Sequence, residues 1–581
     1  MTAPDHSAVL AGGPRVAGRG DRTLLALGAL GVAVAAADTY VVVLALPDMM
    51  AGVGLGLEAF HRATPIISGF LLGYIAVLPL VGRLTDLVDR IRVLQWCLAL
   101  FVVGSVVTAL AVELDVLVGG RFLQGVGGGG LVPATLALVA DRWPPERRGL
   151  PLGVVGAVQE VGAVVGPVLG ALVLAVWSWR AIFWFGAGVG LALMVAVRLV
   201  GGAGGPAERA GAGASARGTV RGRLSAAVAA LSAVLVLLAL IAPDRLVTDV
   251  VWGAPFVPWS GSGRLLTPIG AAGLALAVVA VALGAPRWWP VLRRADPIGA
   301  GLLAVALGGL VLTFAVADPE REVVGPSGYV LLPVSLAAFL LAVWRHRHTA
   351  DPLIPRGVLR GPVLWSVGVS ALVGAALVAV VVDIPVLARL TWSSSYPQAA
   401  LVLVRFLVAV PLGALAGGWL VHRLRAGVVA GLGLGLAAAA LAVTSTWGRG
   451  SLDQGVWVTL VLSAAGVGLG VAFAPVNAVS LAAVGRSAHG LVSALVVVGR
   501  MVGMVVGLAT LTAVGLHRYY DTVRALPDQS DVTALVDAGL VQVQTVLAGG
   551  ALAAAVASVV SVGALRMRHG DRAREDFSAV D

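Results

Sequence analysis

Residues 64–82 and 93–112 carry no charge and flank the short loop Gly82–Arg92, Gly-Arg-Leu-Thr-Asp-Leu-Val-Asp-Arg-Ile-Arg. Each run is long enough to cross a bilayer core of ~30 Å as a helix. The loop is therefore a tight turn at a membrane face. Its arginines, Arg83, Arg90 and Arg92, place that face in the cytoplasm, because short loops rich in basic residues stay inside.

The alternation continues along the chain. Apolar spans are expected at 24–46, 64–83, 93–112, 117–140, 150–175, 181–199, 222–242, 264–285, 297–316, 328–344, 362–388, 398–420, 427–447, 456–483, 489–516 and 538–565. These sixteen spans put both termini on one side. Arg90/Arg92, Arg142/Arg147/Arg148, Arg217/Arg221/Arg223, Arg287/Arg293/Arg294, Arg345/Arg347, Arg423/Arg425 and Arg566/Arg568 all fall on that side. The opposite loops hold few, such as Arg62, Arg180 and Arg321. No span has to be inverted.

Arg15, Arg19 and Arg22 precede an apolar run ending in Ala35-Ala36-Ala37, which resembles a secretion signal. The run continues through Val41–Leu46, so a retained first helix is expected.

Only 12% of residues are charged and 59% are hydrophobic. Soluble domains carry roughly twice that charge, so the fold class is an all-α polytopic membrane protein. The net charge of +10 lies in the loops, where it sets orientation and touches anionic lipid; no nucleic-acid partner is expected. A single cysteine, Cys97, excludes an intramolecular disulfide and a cysteine-based metal cluster. No phosphate-binding Gly-x-x-x-x-Gly-Lys-Ser/Thr loop and no His-Glu-x-x-His pair occurs. No enzyme activity, metal or cofactor is expected.

An internal repeat divides the chain. Gly125, Gly127 and Gly129 match Gly466, Gly468 and Gly470; Gly149-Leu150 matches Gly490-Leu491; Gly162 and Gly166 match Gly503 and Gly507. Every pair is 341 residues apart. Parallel repeats of this kind are the two halves of a transporter. The halves are expected at 24–200 and 362–567, with a linker at 201–361 holding four inserted helices, and cytoplasmic tails at 1–23 and 568–581. The linker opens with the Gly/Ala-rich stretch 201–218, and its helices are expected to pack peripherally.

Ionisable residues inside spans are costly and usually functional. Asp38, Arg121, Glu160, Asp383, Arg405 and Arg500 qualify. Asp38, Glu160 and Arg500 lie within about one turn of mid-membrane, counted at ~1.5 Å per residue. Burial favours a neutral carboxyl and a neighbouring guanidinium favours the ionised form. Asp38 and Glu160 are thus candidate proton carriers, and Arg500 a counter-charge that changes partners as two bundles rock. A static buried ion pair is the competing reading. Asp383 and Arg405 lie near the outer ends of adjacent spans and are expected to form a structural pair. Pro133, Pro411 and Pro475 are expected kinks or packing points.

The loop Gly82–Arg92 resembles the signature between the second and third helices of the major facilitator superfamily, through Gly82, Leu84, Asp86, Arg90 and Arg92. Leu87 and Asp89 depart from it. Gly418-Trp-Leu-Val-His422-Arg-Leu-Arg425 is similar to a worn second copy, with His422 in the carboxylate position. The resemblance implies a conformational latch at Gly82, Asp86, Arg90 and Arg92. Ala-Ala-Asp38-Thr-Tyr resembles the first-helix signature of the fourteen-helix drug:proton antiporter branch. Arg121, Gln124 and Gly125 are similar to its fourth-helix motif, and Gly162, Gly166, Pro167 and Gly170 to its fifth-helix antiporter motif. The resemblance implies a major facilitator fold of two six-helix bundles with two linker helices, which 297–316 and 328–344 resemble; the pair 222–242 and 264–285 is an additional insertion, so four helices are added and about sixteen are expected in all.

After residue 516 helical spacing continues through Tyr519, Tyr520, Val523 and Leu526 to a turn at Pro527–Ser530, then resumes at Val532. The last two helices are expected to protrude as a hairpin at 517–537. Asp38-Thr-Tyr, Gly73-Tyr74, Gln159-Glu160, His489-Gly490, Arg500 and this hairpin resemble the mycobacterial triacylglyceride exporters, also regarded as multidrug efflux pumps. That resemblance implies a monomeric, proton-gradient-driven exporter of lipid or lipophilic compounds in the bacterial inner membrane. It also implies a periplasmic lipid-carrying lipoprotein as partner, with Asp38, Glu160 and Arg500 in the coupling and ion-lock roles. A multidrug antiporter is the alternative, and a non-transporting receptor or scaffold a third reading.

Overall fold

The computed structural model describes residues 19–55, 60–202, 216–249, 253–259, 263–315, 328–392, 396–528 and 531–565. Residues 1–18 and 566–581, Arg321, Gln529 and Ser530 lie outside them. Fifteen helices among the described residues are long and apolar enough to cross a membrane, and a shorter apolar helix runs Pro297–Thr313.

The first half comprises α1 (Arg19–Gly52), α2 (Phe60–Leu87), α3 (Arg90–Leu110), α4 (Leu114–Arg142), α5 (Gly149–Val176) and α6 (Arg180–Gly202). The insertion follows as α7 (Ala216–Ile241), α8 (Pro268–Arg294), α9 (Pro297–Ala315) and α10 (Gly328–His348). The second half holds α11 (Pro362–Thr391), α12 (Tyr396–Leu420), α13 (Ala426–Thr444), α14 (Gly455–Val471), α15 (Phe473–Ala482), α16 (His489–Arg524) and α17 (Val532–Ala564). The span expected at 456–483 is one of the fifteen, Gly455–Ala482, jointed at Ala472 between α14 and α15. Pro475 cannot donate an amide back to the preceding turn, and that accounts for the joint.

Glycines set the close crossings. A methyl group added at Gly125 or Gly129 would strike the backbone of Phe70 or Tyr74 on α2. One added at Gly466 or Gly470 would strike Phe406 or Val410 on α12. Gly127 lies on Cys97 and Phe101 of α3, and Gly468 on Gly433 and Ala437 of α13. Gly162 and Gly166 lie on Ala33 and Ala37 of α1; Gly503 and Gly507 lie on Ala371 and Ala375 of α11. The repeated glycines therefore make the same crossings in both halves, where small residues let backbones approach.

The insertion packs at the edge. α7 and α8 pair with each other, joined by Ser232 Oγ donating to the Gly273 carbonyl at 2.7 Å. Glu113 ties them to the first half by accepting from the Arg264 amide at 2.6 Å. α9 lies on α2, with Gly308 against Leu72.

The final hairpin is longer than a bilayer needs. α16 has 36 residues and α17 has 33, about 54 and 50 Å at ~1.5 Å per residue. Asp531 caps α17 by accepting from the Thr533 hydroxyl and from the Thr533 and Ala534 amides, and those bonds, the hydroxyl's first, hold its carboxyl below the usual range. Between the hairpin and the end of α11 lies a cavity of about 430 Å³, lined by Val386, Leu390, Leu516, Tyr519, Tyr520 and Gln542 among others.

Candidate functional site

The halves are clasped at the arginine-rich end. Asp86, near the end of α2, accepts from the amides of Gly490 at 2.7 Å and Leu491 at 3.1 Å. These are unpaired donors in the first turn of α16, and a carboxylate there also meets the positive end of the helix dipole. Gly82 and Gly490 make the approach possible, because a methyl group at Gly82 would come within 2.6 Å of the Ala494 side chain. Arg90 is buried, donates to the carbonyls of Thr85 (3.3 Å) and Ala137 (2.5 Å), and pairs with Asp141.

Arg92 departs from the expected latch. Its side chain is exposed, and only its backbone amide takes part, donating to Asp89 at 3.1 Å. Asp89 is thereby the N-cap of α3, which accounts for an acid where the resembling family carries glycine. Asp141 is a member of the latch that sequence reasoning misses. Its one signal is an acid at the end of the span expected at 117–140.

The second copy of the turn is placed alike and bonded differently. Gly149, opening α5, lies against Gly418 and beside His422. No hydrogen bond joins the exposed His422 to α5 among the described residues.

Within the first half, Asp38 on α1 meets Arg121 and Gln124 on α4. Arg121 donates to Asp38 Oδ2 at 2.5 Å and to Gln124 Oε1 at 2.7 Å. Gln124 Nε2 donates to Asp38 Oδ1 at 2.8 Å and to Ser105 Oγ at 3.0 Å. The guanidinium also lies 4.4 Å over the Phe70 ring. Arg121 is 1% and Asp38 6% exposed, so the pair survives burial because nearly every polar atom has a partner. Depth and charge alone leave Asp38 to Arg500; the structure pairs it with Arg121, one turn before Gln124 on the same face.

Glu160 on α5 and Arg500 on α16 form an ion pair across the halves, Nη1 to Oε1 3.4 Å. The guanidinium lies 4.8 Å over Phe473, the first residue after the joint at Ala472. Beside it, between the halves, is a cavity of about 30 Å³ lined by Gln159, Ser370, Phe473, Asn477 and Arg500 with Val132, Val155 and Val373. That volume holds about one water. Beyond Glu160, α5 exposes Val161, Val165, Val168, Leu172 and Val176. Gly162, Gly166 and Gly170 seat α5 on α1, the last against Val41, and Pro167 lies within the same helix.

The expected Asp383–Arg405 pair does not form. Asp383 is buried in α11 with Oδ2 lacking any partner, while Arg405 donates to the Gly455 carbonyl at 3.3 Å. Adjacent spans and similar depth suggest a pair, but helix rotation aims the two side chains apart.

Residues 28–320 match the sequence profile of the Major Facilitator Superfamily. The chain belongs to that superfamily and is a multi-pass membrane protein of the transporter type. It is 34% identical over 446 residues to a protein of Mycolicibacterium hassiacum named triacylglyceride transporter, covering 76% of this chain and 67% of that one. A triacylglyceride transporter of Mycobacteroides abscessus is 34% identical over 424 residues, covering 72% and 66%. The chain thus spans about two thirds of the length of these relatives. The human organic anion transporter, at TM-score 0.51 and 14% identity over 93% of this chain and 99% of that one, shares the fold. So does the proton:xylose symporter, at 0.51 and 12% over 92% and 94%.

Proposed function

We propose that this chain is a proton-coupled secondary active exporter of lipids or other lipophilic compounds, working by alternating access across a bacterial inner membrane with both termini cytoplasmic. The observation that carries the reading is the Glu160–Arg500 pair, which joins the halves at an apolar cavity. An ion pair spanning two bodies must break when they part, and its carboxylate is then free to take a proton. Asp38 is the second carrier, held by Arg121 within one half. The clasp at Asp86 closes the cytoplasmic end. Relatives named triacylglyceride transporter and the long hairpin support lipid as substrate. The hairpin would shield acyl chains from water beyond the bilayer edge and pass them to a lipid-carrying lipoprotein in the periplasm.

Proteoliposomes with an imposed pH gradient test this. Labelled triacylglyceride and a cationic dye are offered side by side. Movement of dye without lipid would assign a multidrug antiporter instead. Asp38→Asn and Glu160→Gln should each abolish uphill movement in a folded protein; full activity in both would remove the proton assignment.

A further inference from the structure

The first half holds a cavity of its own, apart from the one between the halves. It measures about 80 Å³ and lies among α1, α3, α5 and α6, with Asp38 in one wall. Phe101, Leu169, Gly170, Phe185 and Gly186 line it together with valines of α1 and α5. The helices α5 and α6 are consecutive yet barely touch: α5 packs on α1, and α6 on α3 and α1. The gap between them gives the cavity a mouth on the membrane flank, where Leu169 and Phe185 are 39% and 59% exposed.

Water is a poor occupant. A buried water takes about two to four polar partners, whereas an apolar cavity stays dry and accepts apolar guests. Asp38 is the one polar side chain in this lining, and its two oxygens already accept from Arg121 and Gln124. The second half shows what the space takes when the chain fills it. At the repeat distance of 341 residues Gly170 corresponds to Leu511, which packs on Gly549 of α17. There α16 and α17 lie close together. A branched hydrocarbon from the chain thus closes one half, and a glycine leaves the other open.

We propose that this cavity seats the end of an acyl chain from a bilayer phospholipid. Its mouth faces the membrane and its walls belong to one half, so phospholipid chains are what it meets. Asp38 lies within about one turn of mid-membrane, the depth at which the chains of the two leaflets end in a core of ~30 Å. From Asp38 the lining runs through Val41 and Gly170 to Val173, away from the arginine-rich turns, so the chain enters from the opposite leaflet. Leaving such a volume empty is disfavoured roughly twenty-fold at the usual cost of cavity space. A chain end fills it without breaking a hydrogen bond, and Asp38 is then walled by lipid on that side.

Photolabelling of the full chain in phosphatidylcholine vesicles tests this. One probe is a phosphatidylcholine with a diazirine at the end of a chain, a second carries the diazirine beside the ester, and a third is a triacylglyceride with a terminal diazirine. The terminal phosphatidylcholine probe should label Leu169, Val173 or Phe185, and the ester-side probe should not. Gly186→Leu places a side chain in the cavity, and labelling there should fall roughly tenfold or more. Labelling of the exposed Leu432 on α13 should stay as it was. Gly186→Ala, whose methyl group would stand 3.7 Å from Ser105 Oγ, should lower the labelling less and serves if Gly186→Leu fails to fold. Equal labelling in the parent and the variants would overturn the proposal. Labelling by the triacylglyceride probe alone would also overturn it and give the cavity to transported lipid. The readout involves no export, so its failure would leave the proton-coupled reading standing.

Discussion

The two halves share a scaffold and differ in what they bury at its centre. In the first, α4 carries Arg121 and Gln124 against Asp38 on α1. The glycine crossings put Ala376, Leu462 and Ala465 at the matching places in the second, all but Leu462 small and all buried in a continuous apolar core. One backbone arrangement therefore accepts either filling. Buried ion pairs stabilise no better than well-packed apolar groups, so folding does not call for the charged set. Its presence on one side only is in keeping with the transport role proposed for it.

The largest effect should come from making the halves alike. A triple variant, Asp38→Ala, Arg121→Leu and Gln124→Ala, should keep thermal stability close to that of the parent and lose uphill export. Arg121→Leu alone strands the Asp38 carboxyl and should cost about 3–5 kcal/mol, read by thermal unfolding in detergent. A single variant as stable as the triple, or a triple that still concentrates substrate, would break the comparison.

The latches give a second contrast. Asp86→Asn gives up a charged acceptor for two amides, a loss of about 1.5–3 kcal/mol. The fraction open at the arginine-rich end should rise roughly tenfold or more, measured by pulsed electron spin resonance between labels at the exposed positions Arg92 and Arg423. His422→Asp should act oppositely and more weakly. A carboxylate beside Gly149 would clamp the first turn of α5 as Asp86 clamps α16, favouring the closed state by about 0.3–1 kcal/mol. No change in the label distances with His422→Asp would mean the second turn has lost the geometry as well as the acid.

Much of this architecture is legible in the residues themselves. A bilayer admits few kinds of backbone, so charge-free runs and arginine placement disclose the helices. The glycine repeat is legible because a helix crossing that close tolerates no side chain. Glu160 and Arg500 stand out by depth and charge. Arg121 as the partner of Asp38 does not, since depth leaves helix rotation open. For the same reason Asp383 and Arg405 are matched wrongly from sequence, and the role of Asp89 as a cap rather than a latch residue is hidden. Asp141 escapes notice because its partner, Arg90, comes from a different helix.

The amino-acid order alone determined that this protein spans a membrane many times, that it carries two related halves, and which few charges are buried. Those follow from the cost of polar groups in hydrocarbon, which each residue bears wherever its neighbours are. Which acid meets which base was decided only by tertiary structure. A partner separated by tens or hundreds of residues is chosen by how helices rotate and cross, and a glycine contact of a few ångströms settles that choice.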